Sequence, residues 1–273
     1  MPESKIVMFA GPNGSGKSTI TANFQALPNF PTNYANADEI AKTLSGDVMA
    51  QSYEAARMVE RQRLEWVAQR QSFAFETVMS HPSKLIQLQQ AKALGYIVEI
   101  YYVSTIDPRY NILRVADRVR AGGHNVPPDK VVERYYRSLS LLPLAIEIAD
   151  RVTVVDNTEL PVESARTWQG AVLRAVTVCP EWVEATIDAV AARKMSREIW
   201  QQWTGDRGLK MLAADAWSGS YRGEIVQMDA RYILQIVDED VVMHDRLSIE
   251  SDCAIGRMLS ISYCEGVGSI DVL

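Results

Sequence analysis

A glycine-rich run near the start of the chain has the residue types that bind the phosphates of a nucleotide. Residues 11–18 read Gly-Pro-Asn-Gly-Ser-Gly-Lys-Ser and match the pattern G-x-x-x-x-G-K-[ST] at every fixed position. In such a loop the glycines let backbone N–H groups converge on an anion, and the helix that follows adds positive charge. We expect Lys17 to reach the outer phosphates and Ser18 to ligate Mg²⁺. The residues predicted to bind nucleotide are Gly11, Pro12, Asn13, Gly14, Ser15, Gly16, Lys17, Ser18 and Thr19.

An acidic residue, Asp38, lies about twenty residues beyond this lysine. A carboxylate at this point is able to take the proton from a hydroxyl that attacks the γ-phosphate. Aspartate is also a favoured N-cap, so Asp38 has a structural alternative as the cap of the next helix.

Glu76 and Thr77 end an apolar run that predicts a buried strand. Ligands of parallel sheets bind at the carboxyl ends of the strands, so both side chains are candidates for substrate binding. For Glu76 two roles stay open: it binds substrate hydroxyls or holds Mg²⁺ through water, or it only accepts hydrogen bonds from the backbone of the phosphate-binding loop and never touches substrate.

A basic segment with a glycine pair, residues 114–137, has the composition of a lid. Guanidinium groups suit the charge that develops on a transferred phosphoryl group, and Gly122-Gly123 permits a sharp turn. The alternative is that the arginines are solvated helix charges paired with Asp117 and Glu133, and that His124 is a loop residue. The arginines of the segment are Arg114, Arg118, Arg120, Arg134 and Arg137.

Asn157 follows the fourth apolar run, where the adenine of a nucleotide kinase stacks. A side-chain amide there is able to contact the base, and a turn or capping role is the alternative.

Short apolar runs alternate with helical patterns up to about residue 155. The alternation predicts an α/β fold, with a parallel sheet and helices on both faces. A helix is expected over 181–193, a helical turn over 163–168, and a second helix over 195–203. Beyond this helix the sequence has short runs of alternating apolar and polar residues, which predict strands of a small antiparallel β domain or barrel. The predicted domains are 1–193 and 194–273. The predicted strands are Lys5–Ala10, Ser72–Val78, Tyr96–Val103, Arg151–Val155, Gly223–Met228, Tyr232–Val237, Val241–His244, Arg257–Tyr263 and Gly268–Val272.

Composition narrows the class of protein. The 273 residues carry a net charge of -6, which argues against a nucleic-acid partner. No apolar run reaches the roughly 20 residues of a membrane span, and Met1–Lys5 runs directly into a strand, so no signal peptide is expected. Three cysteines, Cys179, Cys253 and Cys264, have neither zinc-site nor disulfide spacing. They predict reduced, mostly buried thiols in a cytoplasmic protein.

The order of these motifs resembles the zeta toxin family of bacterial toxin–antitoxin kinases over about residues 4–190. The matching stretches are 11–18, 36–39, 75–77, 118–127 and 134–139. The family's fold is a P-loop kinase, and its well-known members phosphorylate a sugar hydroxyl of UDP-N-acetylglucosamine.

By this resemblance Asp38 falls on the catalytic aspartate, and Glu76 and Thr77 fall on the substrate-contacting pair. Arg118 or Arg120, with Arg134, falls on the lid arginines that hold the triphosphate. The larger members have a more elaborate substrate platform than this chain, so a different acceptor is an open alternative. Residues 205–273 resemble the KfrB domain. There His244 and Arg246 are either a site or solvated charges at a β-turn.

The resemblance implies an ATP- and Mg²⁺-dependent kinase that acts on a small metabolite, such as a UDP-sugar, with an antitoxin protein as partner. An alternative from another class is a P-loop NTPase switch, whose C-terminal domain binds nucleic acid or a protein.

Overall fold

The computed structural model describes residues 3–45, 48–176, 178–249 and 251–272. Met1 and Pro2, which belong to the segment on which the expectation of no signal peptide rests, lie outside the described residues. The chain divides into two compact units. The first unit comprises Met1–Ser80 with Leu88–Glu184, and the second comprises His81–Gln87 with Ala185–Leu273.

The first unit is built on a seven-stranded sheet, with the order β2-β3-β1-β4-β5-β6-β7. The first five strands pair in parallel, and the last two add antiparallel pairing at one edge. The strands are β1 (Lys5–Ala10), β2 (Asn33–Ala35), β3 (Phe73–Thr77), β4 (Ile97–Ser104), β5 (Arg151–Asp156), β6 (Val162–Trp168) and β7 (Ala171–Ala175). The predicted α/β class is thereby confirmed.

Helices lie on both faces of this sheet, as a parallel sheet requires. Phe24 of α1 packs edge-to-face on Phe9 of β1. On the opposite face Trp66 of α3 contacts Phe73. In chain order the helices of the described residues, in both units, are α1 (Lys17–Gln25), α2 (Ala37–Thr43), α3 (Val48–Ala68), α4 (Ser83–Ala93), α5 (Pro108–Arg120), α6 (Pro128–Ile148) and α7 (Glu181–Gly205).

The helical turn predicted over 163–168 is wrong, because these residues form β6. Arg166 pairs with Thr153 of β5, and Trp168 pairs with Arg151. The Arg151 guanidinium also lies over the Trp168 ring, 4.8 Å from its centroid. Hydrogen bonds and packing against the neighbouring strand outweigh weak local helix propensity.

The second unit contains a six-stranded sheet, with the order β13-β12-β9-β10-β11-β8. The sheet is mixed rather than purely antiparallel, because β8 pairs in parallel with β11. Its strands are β8 (Lys210–Ala213), β9 (Ser220–Met228), β10 (Tyr232–Val237), β11 (Asp240–Asp245), β12 (Met258–Cys264) and β13 (Val267–Val272). The sequence analysis missed β8, which has only four residues.

Helix α7 is continuous across the two segments that were predicted as separate helices. The division between units falls after Glu184, inside α7, and a domain boundary near residue 193 stays a prediction. Of the tryptophans near it, Trp182 donates to Asp156, while Trp200 and Trp203 pack against the cluster of Tyr232, Leu234 and Val241.

The three cysteines are free, but they are not mostly buried as predicted. Cys179 and Cys253 are half-buried, and Cys264 is exposed at the end of β12. Within the described ranges, no helix is both long and apolar enough to cross a membrane.

Candidate active site

The glycine-rich loop joins the carboxyl end of β1 to the start of α1. Gly16 precedes the helix in a left-handed conformation, with φ 90°. A Cβ at Gly16 would lie 2.2 Å from the Asn157 amide nitrogen, and one at Gly14 would lie 2.4 Å from the Asn111 carbonyl oxygen. Both positions therefore exclude a side chain. Because the first N–H groups of a helix have no intrahelical acceptor, the start of α1 is suited to hold an anion.

Two side-chain amides hold this loop from outside. Asn111 of α5 is buried and donates to the Asn13 carbonyl at 2.7 Å. Asn157, after β5, donates to the Ser15 carbonyl at 2.8 Å. These bonds orient the loop before any ligand arrives. Asn157 was predicted as a nucleotide-binding residue; its amide nitrogen contacts the loop, and contact with the base stays a prediction.

Lys17 folds over the loop and donates to the Pro12 carbonyl at 2.8 Å. Its pKa falls from the ordinary 10.5 to about 8, chiefly because burial disfavours the ammonium ion. The negative charges of Glu76 and Asp38 act in the opposite direction, and the positive charge of Arg118 adds to the decrease. The predicted lysine, base, substrate carboxylate and one lid arginine are therefore electrostatic neighbours.

Glu76 lies at the end of β3 and accepts two hydrogen bonds, one on each carboxylate oxygen. The Ser18 hydroxyl donates to Oε2 at 2.8 Å, and the Tyr34 hydroxyl donates to Oε1 at 2.8 Å. Burial, followed by the charge of Glu76, raises the pKa of Tyr34, so Tyr34 stays protonated. The Glu76 carboxylate therefore accepts a hydrogen bond from a side chain of the phosphate-binding loop. The two roles expected from sequence were contact with substrate or Mg²⁺, and hydrogen bonds from the loop backbone.

Asp38 is exposed in the first turn of α2. The cap of this helix is Asn36, whose Oδ1 accepts a hydrogen bond from the Asp38 N–H at 2.9 Å. The capping alternative for Asp38 is therefore wrong. Its carboxylate is left to solvent beside the loop, as a base for an incoming hydroxyl requires, and its catalytic role stays a prediction.

The basic segment divides into two groups of arginines. Arg134 donates to the Asn13 side chain of the loop at 3.3 Å, and Arg118 donates to the His124 carbonyl at 2.8 Å. Arg120 pairs with Asp117 at 2.6 Å, and Arg137 pairs with Glu133 at 3.3 Å. The solvated-pair alternative thus describes Arg120 and Arg137 in this structure, but not Arg134.

Arg118 is held where the two glycines turn the chain. The Gly123 N–H donates to the Arg118 carbonyl at 2.8 Å, and the Arg118 Nε is buried without a hydrogen-bond partner. His124 is exposed, as a loop residue is expected to be. Closure of this segment over a nucleotide stays a prediction.

Two other predicted residues have simpler surroundings. Thr77 is half-buried, and its hydroxyl accepts from the Met79 N–H at 3.1 Å. Thr19 is exposed on the first turn of α1.

The oxygen atoms around Ser18 fit a magnesium ion in chemical type. Ser18 gives its proton to Glu76, so its lone pairs remain available, and hydroxyl, carboxylate and phosphate oxygens are the ligands that Mg²⁺ prefers. In the part of the chain that the structure describes, no group of three or more His, Cys, Asp or Glu side chains forms a metal site. Nucleotide phosphates and water would supply the other ligands of the ion.

Sequence reasoning missed Tyr34, Asn36 and Asn111 as parts of this site. Asn111 contacts the loop across a separation of 98 residues, and no local pattern signals such a contact. Asn36 carried a weak signal, because asparagine is a favoured N-cap before an apolar-periodic segment.

In the second unit, His244 is a buried strand residue and not a solvated turn residue. Its Nδ1 lies 2.9 Å from the Tyr263 hydroxyl, and its Nε2 lies 3.1 Å from the side-chain amide oxygen Oε1 of Gln235. Burial lowers the pKa of His244 from 6.5 to about 4. Arg246 lies 3.8 Å from the carboxylate of Asp252, which is fully exposed. The contacts of His244 describe a closed polar core, to which the Arg246–Asp252 pair does not belong.

A parallel sheet in the order 2-3-1-4-5, with a phosphate-binding loop after its central strand, defines the P-loop kinase fold. Residues 2–162, more than half of the chain, match the Zeta toxin family. The chain belongs to the Zeta toxin family, which confirms the resemblance inferred from the motifs. Residues 220–272 match the KfrB domain.

Individual relatives are more distant. An uncharacterized protein of Haemophilus influenzae is 27% identical over 134 residues, which is 49% of this chain and 94% of that protein. Among solved structures, a chain of the AvrRxo1-ORF1:AvrRxo1-ORF2 complex with sulphate ions has a TM-score of 0.55 at 14% identity, covering 68% of this chain and 64% of the other. The same complex with ATP has a TM-score of 0.52 at 15% identity, with 69% and 64% coverage. This chain thus spans just under two thirds of that neighbour, and the likeness shows the fold.

Proposed function

We propose that the protein transfers the γ-phosphoryl group of ATP to a hydroxyl group of a small metabolite. The observation that carries the proposal is the grouping of Lys17, Asp38 and Glu76 beside a loop whose N–H groups begin a helix. The structural neighbour solved with ATP supports this choice of nucleotide.

In the proposed reaction the acceptor oxygen bonds to the γ-phosphorus while the bond to the β-phosphate oxygen breaks, so ADP leaves. Asp38 takes the proton of the attacking hydroxyl. Lys17 and the start of α1 stabilise the negative charge on the phosphates. When bound with ATP, Mg²⁺ would neutralise charge on the β- and γ-phosphates, with Ser18 as its protein ligand.

We further propose that closure of residues 114–134 brings Arg118, Arg120 and Arg134 to the triphosphate and excludes water. Arg134 already contacts Asn13 of the loop. Excluding water would suppress simple hydrolysis of ATP. Glu76 and Thr77, at the carboxyl end of β3, would contact the acceptor.

Family membership supports a UDP-N-acetyl-sugar as the first acceptor to test, and a toxin role controlled by an antitoxin protein. The structural neighbours were solved as two-component complexes, which supports a protein partner for this chain. Three free cysteines support a cytoplasmic location.

The test is a screen for ATP-dependent phosphorylation of metabolites, with UDP-sugars included, followed by two matched variants. Asp38→Ala should lose about 10²–10⁴-fold in transfer while ATP binding is kept, because a base acts only in the transition state. Glu39→Ala removes the neighbouring exposed carboxylate of α2 and should transfer normally.

Near-normal transfer by folded Asp38→Ala protein would refute its role as the base. If no metabolite is phosphorylated but DNA or a protein stimulates ATP hydrolysis, the kinase proposal fails and the NTPase switch replaces it.

A further inference from the structure

An unbroken hydrogen-bond chain joins the helix that carries Asp38 to the phosphate-binding loop. The Asn36 amide donates to the Tyr34 hydroxyl at 3.0 Å, and the Tyr34 hydroxyl donates to Oε1 of Glu76 at 2.8 Å. The Ser18 hydroxyl donates to Oε2 of the same carboxylate at 2.8 Å. We propose that Tyr34 is a positioning residue for phosphoryl transfer, whose hydroxyl fixes the Glu76 carboxylate and links Asn36 to the Ser18 side of the site. This inference rests on the proposed kinase function.

The direction of every bond in the chain is defined. Asn36 Oδ1 accepts from the Asp38 N–H, so its Nδ2 must face Tyr34 and donate. The Tyr34 oxygen accepts that bond and gives its own proton to Glu76, because an ionised carboxylate only accepts. Ser18 gives its proton to the second oxygen of the same carboxylate. Both oxygens of Glu76 are therefore held by neutral O–H donors, in charge-assisted bonds that are stronger than neutral ones.

The Tyr34 ring is itself held in place by apolar packing. It lies 5.9 Å from the Phe30 ring, measured between centroids, and packs against the cluster that contains Val7, Phe9 and Ala74. The backbone of Tyr34 pairs with Ala74 in the sheet. A phenylalanine would keep these contacts and lose only the hydroxyl group, so the packing role and the positioning role are separable by one substitution.

Two consequences follow from removal of the hydroxyl. The Glu76 carboxylate becomes free to rotate away from Ser18, whose lone pairs are the proposed protein ligand of Mg²⁺. The Asn36 amide, which caps α2 through its other atom, loses the bond that fixes its plane. Because the partners that orient metal ligands are typically worth about 10–100-fold in affinity or activity, the loss should appear in kcat and in the Mg²⁺ requirement.

The first experiment compares Tyr34→Phe with Tyr101→Phe in the full chain. Tyr101 packs against the same apolar cluster and stacks on Phe9, so it controls for the loss of a tyrosine hydroxyl there. We expect Tyr34→Phe to lower kcat about 10–100-fold with an unchanged KM for ATP. Tyr101→Phe should match the wild type.

The second experiment measures binding of a fluorescent ATP analogue as a function of Mg²⁺ concentration and needs no acceptor. Tyr34→Phe should raise the half-saturating Mg²⁺ concentration about tenfold, while binding in EDTA is unchanged. If the wild type phosphorylates no acceptor, the kinase proposal fails, and this arm still decides the role of Tyr34. A wild-type Mg²⁺ requirement in folded Tyr34→Phe protein would overturn the inference.

Asn36→Asp gives an independent variant if Tyr34→Phe is unstable. It keeps the oxygen that caps α2 and replaces the donor by an acceptor, which draws the Tyr34 proton away from Glu76. We expect the same rise in Mg²⁺ requirement as for Tyr34→Phe, and no further rise in the double variant. Additive effects would show that the two residues act separately, and would refute the chain.

Discussion

Each unit of the molecule contains a polar cluster in which burial lowers the pKa of one basic side chain. The two clusters differ in the side chains that surround this group. In the first unit, burial lowers the pKa of Lys17 to about 8, while two carboxylates attract its charge. In the second unit, burial lowers the pKa of His244 to about 4. The Lys17 cluster lies beside exposed Asp38 and Ser18, whereas His244 is buried in its sheet.

The side chains of the second cluster bond to one another and to backbone carbonyls. Gln235 uses its amide nitrogen on the carbonyls of Gly223 and Leu259, so its oxygen faces His244. The imidazole then donates through Nε2 and accepts from Tyr263 through Nδ1. A shifted pKa therefore indicates a functional site only where the group also has charged neighbours and lies beside exposed side chains that a ligand can reach.

The largest expected effect is that of Lys17→Ala. It should weaken ATP binding and lower phosphoryl transfer by about 10³-fold, because it removes the ammonium ion that is proposed to contact the outer phosphates. Isothermal titration with ATP and a transfer assay measure the two losses. Lys130→Ala removes an exposed lysine that pairs with Glu133 and should change neither quantity.

The lid arginines should have the next largest effect. Arg118→Ala and Arg134→Ala should each lower kcat about 10–100-fold with little change in ATP affinity, because they act on the charge that develops during transfer. Arg137→Ala, which breaks an exposed ion pair, is the control. Hydrogen exchange at Gly122-Gly123 should slow when an ATP analogue binds. Unchanged exchange at saturating analogue would contradict lid closure.

The pKa of Lys17 predicts a smaller effect of pH on nucleotide binding. Since the ammonium ion is lost as the pH rises through about 8, the affinity of the free protein for ATP should fall about tenfold between pH 7 and 9. Lys17→Arg should remove this dependence, because a guanidinium stays charged. Equal affinity at both pH values in the wild type would show that Lys17 stays protonated.

Gln235→Leu should leave catalysis unchanged and destabilise the second unit by about 1–3 kcal/mol, because it leaves buried partners without hydrogen bonds. The measurement is urea unfolding followed by the tryptophans of that unit. Gln227→Leu changes the same side chain at a half-buried position of β9 and should cost less. A loss of phosphoryl transfer in Gln235→Leu at low urea would show that this cluster serves the active site.

An effect of similar size on the stability of the second unit is expected from acid. His244 has a lower pKa folded than unfolded, so the unfolded chain binds more protons between about pH 6.5 and 4. Stability of the second unit should be fully present above about pH 6.5, and should fall by about 1.4 kcal/mol per pH unit below it. Urea midpoints at pH 7, 6 and 5 measure this slope, and His244→Asn should reduce it. A midpoint that rises on acidification would contradict a buried neutral histidine.

Prediction from sequence worked best where the pattern is local and long. The strands Lys5–Ala10 and Tyr232–Val237 were predicted with their observed bounds, because continuous apolar runs between breakers identify buried strands. Prediction failed where pairing with a neighbouring strand determines the secondary structure. Residues 163–168 have weak local preference and become a strand through pairing with β5, and β8 is too short to show a period.

The sequence alone determined the phosphate-binding loop, since its residue types lie within eight consecutive positions and its chemistry follows from backbone geometry. It also placed Glu76 at the carboxyl end of a buried strand, where parallel sheets bind ligands. Only the tertiary structure decided how these residues are held. Asn157 reaches Ser15 across 142 residues, and Tyr34 reaches Glu76 across 42. Such hydrogen bonds depend on which strands become neighbours in the sheet. The order of the residues along the chain does not specify which strands are neighbours. The same reason explains His244, whose partners Gln235 and Tyr263 come from two other strands.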